Sequence, residues 1–246
     1  MLARFSIALL LAGSLSIPIC YAQEEDSVPE KDSSAGLPKQ YAATHLVGSD
    51  TVSPDKKMAV IYPKEDDEKG KDYLVSLKPF KILTALDTKW PYFAHESHGG
   101  LRAQWAADNS TVLVTLDSKW GPGDVFLYEI QGGKVTRSTN LTDKVHELLK
   151  PDYDQVKPEP YNDEFDFIFD DDMVDTGKGD ANDEMPQQFK LEGATVVVNA
   201  GATTDPKHIG GLKAWDAKFT GTWDIAQGKF TEQKVKRIFG GKRKDD

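Results

Sequence analysis

The side chains in this sequence that could do chemistry are carboxylates, imidazoles and indoles, and their spacing limits what each implies. The densest acidic stretch runs from Asp163 to Glu184, with Lys178 as its one base. Hard carboxylate oxygens at close spacing suit Ca²⁺. Asp170, Asp172, Asp175 and Asp180 are the ligand set such an ion would use. No register reproduces the helix-loop-helix calcium motif: counting from Asp170 the fifth position is Val174, and counting from Asp180 the glycine position is Met185. Calcium is therefore the one cofactor to consider, and a solvated acidic loop without any cofactor is the alternative.

His95-Glu96-Ser97-His98 gathers two imidazoles and a carboxylate, but not at the His-Glu-x-x-His spacing that places both imidazoles on one helix face. No Gly-x-Ser-x-Gly elbow, phosphate-binding loop or dinucleotide fingerprint occurs. Paired Asp/Glu side chains suffice for glycoside hydrolysis, but only at a separation that sequence does not give. Among five tryptophans, Trp105, Trp215 and Trp223 alternate with apolar neighbours, as core residues do. Trp90-Pro91-Tyr92-Phe93 and Lys119-Trp120-Gly121-Pro122-Gly123 lie in loops, so Trp90, Tyr92 and Trp120 are the candidate ligand or partner face.

Those side chains sit on a chain of 246 residues with 30 Lys+Arg against 40 Asp+Glu, a net charge of −10. That balance excludes sequence-independent nucleic-acid binding and docking on anionic lipid, both of which need a basic footprint. Arg4 precedes an apolar run, Phe5 to Ile19, broken by Pro18 and followed by Cys20-Tyr21-Ala22. This reads as a secretory signal peptide cleaved after Ala22. The run is short for a membrane span, so no stable insertion is expected once it is removed. Cys20 offers a lipidation site, but the bulky Ile19 stands where a small residue belongs, and lipoprotein processing is not expected. Cleavage removes the one cysteine. The mature chain is expected to be secreted or periplasmic and to rest on a packed core rather than on disulfides.

The elements that must position the candidates are strands. Residues 23–40 are polar and read as a flexible leader. Strand-like runs at Lys57–Tyr62, Asp72–Leu77, Leu101–Trp105, Val112–Leu116 and Asp124–Ile130 are separated by turn clusters. Residues 141–150 carry Leu141, Val145, Leu148 and Leu149 on one helical face, with Asn140 or Thr142 as cap and Pro151 as stop. Trp215, Ala217, Phe219, Gly221, Trp223 and Ile225 share one parity, so a long strand with one buried face is predicted there.

Ser53-Pro54-Asp55-Lys56-Lys57-Met58-Ala59-Val60 and Trp105-Ala106-Ala107-Asp108-Asn109-Ser110-Thr111-Val112-Leu113-Val114 look like one another. Both resemble the blade motif of TolB-type periplasmic β-propellers, a Trp-Ser-Pro-Asp-Gly turn before an apolar strand. The resemblance covers about 52–142 and implies four-stranded antiparallel meanders. Lys56 and Asn109 stand where the motif has glycine, and Val52 stands where it has tryptophan.

The expected fold is mainly β: antiparallel propeller-like meanders, a smaller C-terminal antiparallel sheet, and one short helix near 141–150. The expected division is 41–150 for the meanders, 151–188 for an acidic linker, 189–239 for the C-terminal sheet and 240–246 for a charged tail. The expected function is that of an exported soluble binding or scaffolding module with a protein or glycan partner. The alternative is an envelope or extracellular hydrolase acting on glycan or peptide with Asp/Glu chemistry.

Overall fold

The computed structural model describes residues 31–66, 70–89, 91–94, 96, 99–155, 168–174, 187–204 and 213–242. Its described part is mainly antiparallel β. Strands β1 (His45–Val47), β2 (Met58–Pro63), β3 (Tyr73–Leu77) and β4 (Phe80–Ala85) form a first sheet in chain order. Strands β5 (Gly100–Trp105), β6 (Thr111–Asp117), β7 (Pro122–Gln131) and β8 (Lys134–Asn140) form a second. The third contains β9 (Ile168–Phe169), β10 (Phe189–Glu192), β11 (Thr195–Thr203), β12 (Lys213–Asp224) and β13 (Lys229–Lys242). There β10 to β13 pair in chain order and β9 adds to β11.

The two motif copies fold alike. Ser53 N–H donates to the Met58 carbonyl (2.8 Å) and Lys56 N–H to the Ser53 carbonyl (2.8 Å); 53 positions later Ala106 N–H donates to Thr111 (2.9 Å) and Asn109 N–H to Ala106 (2.9 Å). Asp55 and Asp108 each accept a backbone N–H two residues on, from Lys57 at 3.1 Å and Ser110 at 3.0 Å. Lys56 and Asn109, the residues in the motif's glycine position, are left-handed at φ 57° and 58°. The backbone has kept the conformation that glycine serves best and has put side chains into it.

Burial follows sheet stacking. On β2, Val60 faces the second sheet while Ala59 and Ile61 face Leu37 and the short helix α1 (Lys39–Ala42). On β6, Val112, Val114 and Leu116 face the first sheet while Leu113 faces the third. The second sheet is thus covered on both faces, which is why β6 reads as a continuous apolar run rather than an alternation. The third sheet buries one face, including Val196, Val198, Ala200, Trp215, Ala217 and Phe219, and keeps polar residues such as Asn199 and Thr220 on the other. Strand β5 ties the three sheets together, through the Ser49–Thr51 turn before β2 on one side and through β10 on the other. Trp105 Nε1–H donates to the Thr51 carbonyl (2.9 Å), while the Gln104 amide donates to the Phe189 carbonyl and accepts from Leu191 N–H, both at 2.9 Å. Further out, helix α2 (Leu141–Asp154) wedges between β7 and the β12–β13 pair. The resemblance to propellers is one of blades: each sheet contains a four-stranded meander, to which β9 adds a fifth strand in the third, but the described residues hold three such sheets where a propeller has at least four.

Four expectations change. The helix does not stop at Pro151 but runs through it to Asp154. Pro151 removes one intrahelical hydrogen bond, and tertiary contacts hold the last turn in place. Tyr153 packs edge-on against Trp215 (5.4 Å), and the Asp152 carboxylate accepts from Trp215 Nε1 at 2.7 Å and from Arg237 at 2.7 and 2.9 Å. The boundary expected at 150 therefore falls inside α2, whose Leu141, Val145, Leu149 and Tyr153 share one core with the third sheet. The leader expected over 23–40 is anchored in its described part, because Leu37 is buried and Ser33 bridges Val47. The tail expected from 240 is part of β13 as far as Lys242. Residues 1–30 lie outside the described residues, and with them the expected signal peptide 1–22 and Cys20. Among the described residues no helix is long and apolar enough to cross a membrane.

Candidate functional site

Asp72 immediately precedes β3, and its side chain is fully buried. One carboxylate oxygen accepts the Tyr92 N–H at 3.0 Å. The other has no hydrogen-bond partner among the described residues. Burial pushes this carboxyl up to about 7, and the Glu96 charge adds to the rise against the opposing Tyr92 hydrogen bond. Near neutral pH that leaves it about half protonated, since burial disfavours its charge and no cation pairs with it among the described residues.

The Tyr92 ring packs edge-on against Tyr62 of β2, with ring centroids 4.8 Å apart. The Tyr62 hydroxyl donates to Asp32, whose other oxygen accepts from the Ser49 backbone N–H (2.7 Å) and hydroxyl (2.8 Å). Burial alone would raise Asp32, but these three donors outweigh it and hold the carboxyl below its ordinary value. Burial also raises Tyr92, and the charges of Asp32, Glu96, Asp50 and Asp72 raise it further. Glu96 is raised by burial and by Asp66. Four carboxylates thus lie near enough to the half-buried Tyr92 to raise it. No Lys or Arg forms an ion pair with Asp32, Asp72 or Glu96 among the described residues.

A second acidic group lies where the second and third sheets meet. Arg102 Nη2 bridges Asp117 at 2.9 Å, and Asp171 stands close enough to raise Asp117, secondary to burial and against the Arg102 charge. Asp171 N–H donates to the Trp120 carbonyl (2.8 Å), and its side chain accepts from Gln188 (2.7 Å). Gly121 has no room for a side chain: a Cβ would lie 2.9 Å from the Phe169 carbonyl oxygen. The Trp120 loop and the 170–172 segment, separate candidates in the sequence, are therefore one place in the fold. Asp170 caps the single turn at Asp171–Met173 by accepting the Asp172 N–H (3.1 Å). Trp120 is 39% exposed, and the Lys119 ammonium sits 4.5 Å from its ring centroid.

Of the sequence-predicted residues, Tyr92 joins the first group, while Trp120, Asp170 and Asp172 join the second. Asp175, Asp180 and Trp90 lie outside the described residues, as do His95 and His98. Among the described residues no three His, Cys, Asp or Glu side chains converge as a metal site would require. Asp32, Tyr62 and Asp72 were not singled out by sequence. Nothing in Lys71-Asp72-Tyr73 distinguishes Asp72 from an ordinary solvated aspartate at a strand start, because its burial and its hydrogen bond from Tyr92, twenty residues away, arise only in the fold.

No protein-family model matches the chain, and no curated protein matches its sequence. A solved prolyl endopeptidase chain is 13% identical with a TM-score of 0.26; the match covers 75% of this chain and 34% of that one. A likeness of that size assigns no function to either group of residues.

Proposed function

We propose that this is an exported binding module whose ligand face is Tyr92 with Asp32 and Glu96, backed by the buried Tyr62 and Asp72. The observation that supports the reading is Tyr92, half-buried and near carboxylates that the described chain leaves without a counter-charge. Aromatic surface beside unneutralised charge is suited to holding a ligand and is costly to keep in a purely structural role. The 1–22 segment supports export, and the acidic balance of the chain argues against nucleic acid and anionic lipid as partners.

The hydrolase reading draws on one specific observation. Asp32 is held ionised while Asp72 retains a proton near neutrality, a division of roles that acid–base chemistry uses. Against it, Asp72 is fully buried, and a general acid must reach the atom it protonates. The experiment is a paired screen of a chemically mixed library of peptides, oligosaccharides and amines. Binding by the module gives a saturable rise in the unfolding midpoint that Tyr92→Ala abolishes, with no turnover. Hydrolysis that Asp72→Asn or Glu96→Gln abolishes contradicts the module reading and favours the enzyme.

A further inference from the structure

We propose that the group held by this face is an organic cation, the ammonium or guanidinium of a basic ligand, seated on Tyr92 beside Asp32 and Glu96, with the buried Asp72 acting on it through its charge and not by contact. The inference rests on the binding reading above and names its ligand class. Three features carry it. The Tyr92 ring, packed edge-on against Tyr62, offers the π-face over which a cation is attracted. The carboxylates around it have no ion pair among the described residues. Asp72, fully buried, brings one oxygen that accepts no hydrogen bond among the described residues. A bare metal ion fits less well than an organic cation, since no three-ligand cluster forms among the described residues.

Asp72 also couples binding to pH. The groups facing it are Glu96 and Tyr92 from the 91–96 segment and Tyr128 from β7, none of which supplies positive charge. A seated cation is then the counter-charge that lets Asp72 release its proton to solvent. The complex gains stability as Asp72 ionises, so affinity rises with pH through neutrality.

The test is calorimetric titration of the full mature chain with pentalysine and separately with spermidine at pH 6 and pH 8, in about 150 mM salt to screen exposed charge. The account expects both cations to bind, about tenfold more tightly at pH 8 than at pH 6. Pentalysine binding without spermidine binding assigns the cation to a peptide side chain; the reverse assigns it to a free amine. Glu96→Gln weakens binding at least about fivefold, and Asp72→Asn weakens it and removes the pH dependence. Glu147→Gln, which removes an equal charge from the exposed face of α2, leaves affinity unchanged. Equal loss in Glu147→Gln overturns the inference, because binding is then to net charge alone. So does full affinity in both Glu96→Gln and Asp72→Asn. If neither cation binds while the library yields a neutral or anionic ligand that Tyr92→Ala loses, the cation assignment falls and the binding module stands.

Discussion

Asp72, just before β3, is fully buried and Asp117, at the end of β6, is half-buried, and burial raises both above the ordinary value. They differ in what the fold provides. Asp117 lies diagonally across the β5–β6 pairing from Arg102, which bridges it at 2.9 Å. Asp72 has one backbone N–H and an acidic neighbour. The junction of the second and third sheets neutralises its acid internally, whereas the cluster at the first sheet leaves its acid short of a partner among the described residues. An internally satisfied group is structural by the simplest account, and an unsatisfied one points outward to a ligand or to pH.

Removing the cation from the satisfied side should turn one case into the other. Arg102→Leu leaves Asp117 beside Asp171 without its counter-charge, and the expected loss is about 2–4 kcal/mol, discounted for the partial exposure of both side chains. Denaturant unfolding at pH 7 checks this, and the loss should shrink toward pH 4 as Asp117 becomes protonated. A variant as stable as the parent at both pH values would show the bridge to be idle.

The opposite change sharpens the other side. Because the fold raises Asp72, its stabilising contribution is complete below the unfolded value near 3.8 and is lost as pH rises through about 7. Asp72→Asn keeps the acceptor for Tyr92 and removes the charge. It should stabilise by about 1–3 kcal/mol above pH 7 and by little near pH 4, read from midpoints across the range. A variant destabilised equally at all pH values would contradict the reading.

The third sheet supplies an intermediate case. Asp152, held below its ordinary value by Arg237 and, secondarily, Trp215 against burial, anchors the α2 turn that passes through Pro151. Trp215→Phe removes one donor to this carboxylate and leaves Arg237, so a loss of about 1–2 kcal/mol is expected from thermal unfolding. The smallest effect concerns the repeated turns. Lys56→Gly should stabilise by about 1 kcal/mol and Asn109→Gly by about half that, because asparagine tolerates the left-handed region better than lysine. Equal midpoints for both variants and the parent would show that the turns carry no strain.

These contrasts also mark what the sequence discloses. The alternation from Trp215 to Ile225 predicts β12 directly, because that strand has one dry and one wet face. The copies at 53–60 and 105–114 predict two matching turns, since aspartate and a left-handed residue at fixed spacing build them locally. The third sheet lacks this signature because its first hairpin turns through Glu192-Gly193, with a true glycine at φ 58°. The continuation of α2 past Pro151 depends on Trp215 and Arg237, more than sixty positions away, and no local pattern carries it. The candidate site divides in the same way. Tyr92 is visible as an aromatic in a loop, whereas Asp72, Asp32 and Tyr62 acquire their roles only when the fold brings them together.

The most direct measurement is a ¹³C-carboxyl NMR titration of Asp72 in the folded protein, with and without pentalysine. The account predicts a midpoint near 7 for the free protein that moves downward when the cation is bound. A midpoint near 4 in the free protein, or one near 7 that saturating pentalysine leaves unmoved, would contradict it.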